Sequence, residues 1–344
     1  MEEALEHFVH GLPTVLLFLV IAVSLFVLGK AADLLVEEAV LLSKRSGIPK
    51  TIIGATIVSL GTTTPEAAVS VFAAIQGQPG LALGNAVGSI ICDTGLILGL
   101  ACLISPLKLD RRITNRQGWI QIGAAAAMVA LSFPWSSPAE VFSSGGNLSQ
   151  WAGFVFLGAL AVYIWRSIRW AGEGTGLVGD GDNDHGSSGS TMVIVLRLIG
   201  AVVLVVISAR ILIPAVTEVA VRMHVPESII AATLVAFGTS LPELVTAVTA
   251  ARKGHGELAV GNVVGADILN VFFVAGAAAA VTPGGLTAGG HFFQVLFPIM
   301  LLILLVFRVG IFVSGDYMKR PFGYVLLTAY GVYMVVSYLI PASV

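Results

Sequence analysis

Two stretches of this sequence repeat each other without a gap. Residues 56–93, TIVSLGTTTPEAAVSVFAAIQGQPGLALGNAVGSIICD, align with residues 233–270, TLVAFGTSLPELVTAVTAARKGHGELAVGNVVGADILN, and 17 of the 38 positions are identical. The preceding segments agree as well, with GIPKTIIGA at 47–55 matching HVPESIIAA at 224–232. Each residue of the first copy therefore has a counterpart 177 positions later. Such self-similarity predicts a chain built from two related halves.

The composition predicts that these halves lie in a membrane. Only 11% of the residues are charged, 56% are hydrophobic and the mean hydropathy is +0.94, whereas a soluble domain carries about 25% charged residues. The net charge of −2 says nothing about nucleic acid, and no nucleic-acid partner is expected because no basic cluster is long enough to bind one. Cys92 and Cys102 fall in one apolar segment, so neither a disulfide framework nor a cysteine zinc site is expected.

Ten apolar stretches are long enough to cross a lipid bilayer, whose hydrocarbon core is roughly 30 Å thick. They lie near 13–43, 50–77, 80–105, 118–135, 151–170, 192–222, 226–252, 257–281, 291–313 and 322–341. The acidic start, MEEALEHFVHG, lacks the basic region of a cleaved signal peptide, so the first stretch is interpreted as a true span. A segment rich in Gly, Ser and Asp, 171–191, is expected to be a cytoplasmic linker between a first half at 1–170 and a second half at 192–344.

Basic residues predict the orientation. Fourteen Lys and Arg residues fall in alternate loops, whereas the opposite loops and both termini together hold only Arg222. The fourteen are Lys44, Arg45, Lys50, Lys108, Arg111, Arg112, Arg116, Arg166, Arg169, Arg252, Lys253, Arg308, Lys319 and Arg320. The positive-inside rule then places both termini outside and the linker in the cytoplasm.

Five spans separate one copy of the repeat from the other. An odd number of spans per repeat forces the two copies to insert upside down relative to each other. Inverted repeats of this kind are typical of secondary transporters, which bind their ions near the midplane at the repeat interface. The predicted fold is therefore an all-α polytopic membrane protein with ten transmembrane helices in two inverted five-helix repeats.

The repeated polar residues predict an ion site. GTTTPE at 61–66 and GTSLPE at 238–243 each place hydroxyls, a proline and a glutamate in one turn of an apolar span. Proline has no N–H, so Pro65 is expected to free the carbonyl of Gly61, and Pro242 that of Gly238. Carbonyls, hydroxyls and carboxylates from two such turns suit calcium, which takes about 6–8 oxygen ligands. An intramembrane glutamate with only a structural hydrogen bond is the alternative, and the symmetric pair argues against it.

A second matched pair of segments adds polar residues to this cavity. GNAVGSIICD places Asn85, Ser89 and Asp93 on one helix face. The counterparts are Asn262, Ala266 and Asn270. The glycines of these segments, spaced four apart, are expected to allow close approach of neighbouring helix backbones. They are Gly84, Gly88, Gly261 and Gly265.

Four other charged residues inside spans are interpreted as structural. Lys30 and Asp33, three residues apart in the first span, are expected to form a pair. Arg197 and Arg210 in the sixth span are expected to be paired or to extend toward the membrane surface.

With these motifs in view, the chain resembles the calcium:cation antiporter superfamily and, within it, the prokaryotic sodium/calcium exchangers. The resemblance covers nearly the whole chain, including ADLLVEEAVLLSKRSGIPKTIIGATIVS from the first span into the second. It implies that Glu66 and Glu243 bind calcium and share sodium, that Thr62 and Thr239 lend oxygens beside Thr63 and Ser240, and that Asp93 and Asn270 form an acid/amide pair. It also implies that Ser59 and Ala236 lend backbone carbonyls and that Ser89 lends a sodium-site hydroxyl.

The chain departs from the family pattern in the eighth span and its counterpart. The acid and the amide are exchanged between Asp93 and Asn270, Ala266 lacks the hydroxyl of Ser89, and Asp267 stands where the first repeat has Ile90. Asp267 is expected either to supply a compensating carboxylate to the ion site or to point elsewhere on its helix.

The functional hypothesis is sodium/calcium antiport by alternating access, with the long first and sixth spans as sliding elements. The alternative is exchange of calcium or another divalent cation for protons, or potassium-dependent exchange, on the same fold. The chain has no HExxH or GxSxG motif, so an enzyme is not expected. The remaining expectations are no cofactor, inorganic cations and the lipid bilayer as partners, function as a monomer, and a prokaryotic plasma membrane as the location.

Overall fold

The computed structural model describes residues 9–174, 190–223 and 238–339. Within them the chain forms ten helical segments of at least 12 residues. They are α1 Thr14–Ser46, α2 Lys50–Ile75, α3 Pro79–Ile104, α4 Arg111–Ser132, α5 Gln150–Gly174, α6 Thr191–Arg222, α7 Leu241–Arg252, α8 Gly256–Val281, α9 Phe292–Val313 and α10 Arg320–Leu339. The start of the seventh predicted span, 226–237, and most of the predicted linker, 175–189, lie outside the described residues.

Seven of these segments are long and apolar enough to cross a membrane, namely α1, α2, α3, α5, α6, α8 and α9. The helix that holds the fourth predicted span begins before that span, since α4 starts at Arg111 rather than at 118. Asp110 caps it by accepting a hydrogen bond from the backbone N–H of Ile113 at 3.2 Å, and two polar turns follow before the apolar residues begin. An apolar window detects only the later part of such a helix. At the other boundary, α5 continues to Gly174, past the predicted end of the first half at 170.

Helices α1 and α6 pack along each other and are joined by polar contacts near both ends. At one end, Arg197 lies 3.5 Å from Glu38, as predicted for a paired arginine. At the other, Arg222 donates hydrogen bonds to Glu218 at 2.7 Å and to Thr14 at 3.0 Å. These two helices of 33 and 32 residues therefore form one tied pair.

Four short strands join the two halves of the chain. Strand β1, Leu107–Lys108, pairs antiparallel with β4, Tyr317–Met318, and β2, Gly146–Leu148, pairs antiparallel with β3, Leu286–Ala288. Each pair takes one strand from each half. The all-helical prediction missed these strands because two or three residues are too few to produce a detectable alternating pattern.

Four helices contain a π-helical turn, a feature that often marks functional sites. The turns are Gly54–Val58, Cys92–Ile97, Asn270–Ala275 and Phe292–Leu296. The loss of the hydrogen bond that Pro65 is expected to remove at Gly61 does not break the helix, since Ser59–Ile75 is continuous and the π-helical turn ends before Ser59. Arg210 donates a hydrogen bond to the carbonyl of Pro65 at 3.2 Å, so a neighbouring helix contacts this turn. In the second half, Pro242 stands in the first turn of the part of α7 that the structure describes.

Glycines bring the backbones of α2 and α8 into contact. A Cβ on Gly261 would lie 2.3 Å from the carbonyl oxygen of Thr51, and one on Gly265 would lie 2.4 Å from Cα of Ala55. A Cβ on Gly54 of α2 would lie 2.6 Å from the carbonyl oxygen of Leu258. Close approach is thus confirmed at this crossing. At Gly88 no described atom lies within 4 Å of such a Cβ, and the first part of the segment matching α2 in the other half, 227–237, lies outside the described residues.

Gly265→Ala is expected to lower the stability of the protein, because the new methyl group meets backbone atoms that cannot move aside. Overpacking of this kind costs about 1–3 kcal/mol. Thermal unfolding of the purified protein in detergent, followed by fluorescence-detected size exclusion, measures the change. Gly158→Ala in α5 is the control, since no described atom lies within 4 Å of its Cβ position. Equal melting temperatures for both variants would contradict the tight crossing.

Candidate functional site

Two buried glutamates are each held by a hydroxyl from the opposite half of the chain. Thr63 donates a hydrogen bond to Oε1 of Glu243 at 3.3 Å, and Ser240 donates one to Oε1 of Glu66 at 3.1 Å. Thr63 and Ser240 are counterparts in the repeat, and so are the two glutamates. All four residues are at most 1% exposed. The two motifs are therefore brought together and exchange equivalent contacts.

A second pair of counterparts touches directly. Nδ2 of Asn270 donates a hydrogen bond to Oδ2 of Asp93 at 3.4 Å, and both residues are fully buried. Each lies at the start of a π-helical turn, in α3 and α8 respectively. The predicted acid/amide pair is thus adjacent in space.

In both glutamates, and in Asp93 and Asn270, one side-chain oxygen has no hydrogen-bond donor among the described residues. The atoms are Oε2 of Glu66, Oε2 of Glu243, Oδ1 of Asp93 and Oδ1 of Asn270. Burying an unpaired carboxylate oxygen is costly unless a cation or a donor compensates it. These oxygens are therefore free to coordinate a cation.

Hydroxyl and amide groups surround Glu66 more completely than Glu243. Ser89 donates a further hydrogen bond to Oε1 of Glu66 at 3.0 Å. Asn85 donates to Ser70 at 2.9 Å and to the backbone carbonyl of Glu66 at 3.4 Å. At the positions matching Ser89 and Ser70 the second half has alanines, Ala266 and Ala247. Asn262, the counterpart of Asn85, accordingly has no partner for either amide atom among the described residues.

The other predicted oxygen donors flank the glutamates. The hydroxyl of Thr62 lies 3.3 Å from the carbonyl oxygens of Val58 and Ser59, so its hydrogen is directed into its own helix. Thr239 donates to Oδ1 of Asn85 at 3.5 Å, and Ser59 is fully buried. Ala236, predicted to lend its carbonyl, lies outside the described residues.

Asp267 belongs to a separate polar cluster. Its Oδ2 accepts hydrogen bonds from Thr94 of α3 and Gln121 of α4, and all three side chains are buried. No hydrogen bond among the described residues joins Asp267 to Glu66 or Glu243. Sequence reasoning missed Thr94 and Gln121. A glutamine inside an apolar span, four residues after another at 117, was a signal that could have identified Gln121.

The donor set depends on more than acidic groups. Among residues 9–174, 190–223 and 238–339, no three His, Cys, Asp or Glu side chains converge closely enough to hold a metal ion. A cation bound between Glu66 and Glu243 must therefore also take hydroxyl, amide or carbonyl oxygens. This is the mixture of hard oxygen ligands that calcium accepts.

Comparisons with known proteins agree in family and fold. A family model described as "Sodium/calcium exchanger protein" matches residues 16–169 and 193–339. The chain is 31% identical to the sodium/calcium exchanger MaX1 of Methanosarcina acetivorans, over 94% of this chain and 99% of that protein. It is 33% identical to the inner membrane protein YrbG of Escherichia coli, over 92% and 95%. A solved structure of the exchanger NCX_Mj, soaked without sodium and calcium, superposes with a TM-score of 0.76 at 24% identity, over 95% of this chain and 100% of that one.

Gln121→Leu is expected to destabilise the protein, because it leaves the buried carboxylate of Asp267 with one donor instead of two. Removing a donor from a buried charged group costs about 1–3 kcal/mol. Thermal unfolding measures the loss, and Gln121→Leu combined with Asp267→Leu, which removes both partners, is expected to recover part of it. If the double variant loses as much stability as the two single variants added together, the contact between Gln121 and Asp267 does not explain the loss.

Proposed function

The chain belongs to the sodium/calcium exchanger protein family, and we propose that it exchanges sodium for calcium across a membrane by alternating access. The observation that carries the proposal is the exchange of hydroxyl contacts between the two glutamates. Thr63 reaches Glu243 while Ser240 reaches Glu66. A two-fold relation between the halves produces such an exchange, and it places both carboxylates at one shared interface.

Ten crossings in two inverted repeats are supported by the strand pairs. If every helix crosses the membrane, the α3–α4 and α9–α10 connections lie on one side, and the α4–α5 and α8–α9 connections on the other. Strand β1 pairs with β4, and β2 with β3, so each pair joins connections on the same side. The basic residues then place the β1–β4 side in the cytoplasm and both termini outside. The membrane we propose is a prokaryotic plasma membrane, with the monomer as the functional unit.

Glu66 and Glu243 are the proposed ligands of both ions. Their unpaired oxygens, and those of Asp93 and Asn270, supply part of a calcium shell. The hydroxyls and carbonyls around them complete it, from Ser59, Thr62, Thr63, Ser89, Thr239 and Ser240. The carbonyl of Ala236, which lies outside the described residues, keeps its predicted role as a further ligand. With Asp93 as the acid and Asn270 as the amide, the region keeps three carboxylates, although these do not converge closely enough in this structure to hold a metal ion by themselves. Asp267 is proposed to influence this site through α8 rather than to bind the ion.

Competition for the same carboxylates couples the two fluxes. Two buried carboxylates without a cation are strongly destabilised in a medium of low dielectric constant. The protein therefore changes between its outward-open and inward-open states with calcium or with sodium bound. An empty charged site raises the energy barrier to this conformational change. Neither ion can leak alone at a comparable rate.

The paired helices α1 and α6 are the proposed moving element. They are tied to each other near both ends, by Arg197 with Glu38 and by Arg222 with Thr14. Sliding of this pair past the remaining helices opens one side of the site and closes the other. Shear motions of packed helices are a known route to such switching.

Glu66→Gln and Glu243→Gln are each expected to reduce sodium-driven calcium uptake to background, because each removes a ligand charge from the shared site. Calcium-45 uptake into proteoliposomes loaded with sodium measures this. Glu257→Gln is the matched control, since Glu257 pairs with Lys108 at 2.9 Å at the start of α8 and lies outside the site. The pKa of Lys108 is raised, chiefly by its hydrogen bond to Glu257. Wild-type uptake by either site variant would overturn the proposed ligands.

The coupling ion is tested in the same vesicles by imposing sodium, potassium and proton gradients in turn. The proposal requires that an outward sodium gradient drives calcium uptake and that the other two gradients do not replace it. Uptake driven by protons without sodium, or uptake that needs potassium as well as sodium, would replace this proposal with one of the alternative exchangers on the same fold.

Ala266→Ser is expected to lower the sodium concentration needed for half-maximal exchange. The added hydroxyl stands at the position matching Ser89, where it can donate to Glu243 as Ser89 does to Glu66. One such hydrogen bond is worth about 1 kcal/mol, so a change of up to about fivefold is expected. Ser89→Ala is the opposite variant and should raise that concentration. Identical sodium dependence in both variants would exclude these positions from the sodium site.

A further inference from the structure

A groove of about 360 Å³ lies between α1 and α7 on the surface of the protein. Its lining combines apolar side chains with basic ones. The lining residues used below are Leu25, Phe26, Lys30, Val248, Thr249 and Arg252. None of them belongs to the ion site described above.

Two cationic side chains in the groove are unpaired. Lys30 and Arg252 form no hydrogen bond or ion pair with any described residue. The expected pair between Lys30 and Asp33 is not formed, because Asp33 lies 3.1 Å from Lys253 instead. Lys253 also donates a hydrogen bond to Glu37 at 2.8 Å. Asp33 is the one acid that lines the groove, and it is paired with Lys253 rather than with Lys30 or Arg252, so the two basic residues leave the lining with a net positive charge.

The groove has the polarity of a membrane lipid. In both helices the apolar lining residues precede the basic one in the sequence. Helices α1 and α7 also run toward the same membrane face in the proposed topology. Leu25 and Phe26 are 53% and 67% exposed, about one turn before Lys30. Val248 precedes Arg252 by one turn in α7. The basic end is thus level with the contact between Lys253 and Asp33, and the apolar end faces the interior of the bilayer.

We propose that this groove binds one anionic phospholipid, with its phosphate between Lys30 and Arg252 and one acyl chain along Leu25, Phe26 and Val248. The hydroxyl of Thr249 is placed to donate a further hydrogen bond to the head group. Basic residues at the membrane surface attract anionic lipids, and an apolar channel beneath them selects an amphiphile over a soluble anion. The lipid belongs to the leaflet that faces the basic loops.

Binding here links two parts of the protein that must move relative to each other in the proposed transport cycle. Helix α1 belongs to the tied α1–α6 pair, whereas α7 carries Glu243. A lipid held by Lys30 on one side and by Arg252 on the other bridges them. The lipid site itself does not depend on which ions the protein exchanges, so it can be tested by binding alone.

Native mass spectrometry of the purified full-length chain tests the proposal, with phosphatidylglycerol and phosphatidylcholine as probes. The wild type is expected to retain one phosphatidylglycerol at lipid concentrations at which phosphatidylcholine is lost. Lys30→Gln combined with Arg252→Gln should weaken this binding roughly 30-fold, since each basic residue contributes about a factor of five. Lys44→Gln combined with Arg45→Gln is the charge-matched control, because both residues lie at the end of α1 away from the groove.

Three results would overturn the proposal. They are equal retention of the two lipids by the wild type, equal weakening in the control variant, and displacement of the lipid by millimolar inorganic phosphate, which would indicate a soluble-anion site. If the double variant does not fold, Arg252→Gln alone is measured. A loss of roughly fivefold for that variant supports the site, and unchanged binding rejects it.

Discussion

The structure depends on holding two carboxylates in a membrane interior where an uncompensated charge is very costly. Each glutamate accepts a hydrogen bond from a hydroxyl of the opposite half, and its second carboxylate oxygen has no hydrogen-bond donor among the described residues. The arrangement links the two halves, because each motif donates a hydroxyl hydrogen bond to the glutamate of the other. A repeat is a simple way to build such a site, since two copies of one motif supply both glutamates and both hydroxyls.

The two halves are not equivalent in detail. In the first half the hydroxyls of Ser70 and Ser89 contact Asn85 and Glu66. The second half has alanines at the matching positions, 247 and 266, so it lacks these two hydroxyls. At the centre, Asp93 and Asn270 differ in charge although they are counterparts that touch. Divergence of this kind allows a site built by duplication to distinguish ions of different charge and coordination number.

The repeat made the main contacts predictable, whereas other features depend on tertiary packing. Matching Thr63 to Ser240 and Glu66 to Glu243 was enough to place these residues at one site. The direction of Asp267 was not predictable, because it stands three residues before Asn270 and the helix changes to a π turn at that point. Likewise, nothing local in the sequence predicts that the helix continues through Pro65, where Arg210 from another helix contacts the freed turn.

The central claim is that sodium and calcium compete for one site shared by both halves. Equilibrium binding of calcium-45 to the purified protein, measured over a range of sodium concentrations, tests it most directly. We expect one calcium to bind per chain and sodium to release it completely. The apparent calcium affinity should fall more steeply than in proportion to sodium, because several sodium ions replace one calcium. Calcium that stays bound at saturating sodium would contradict it.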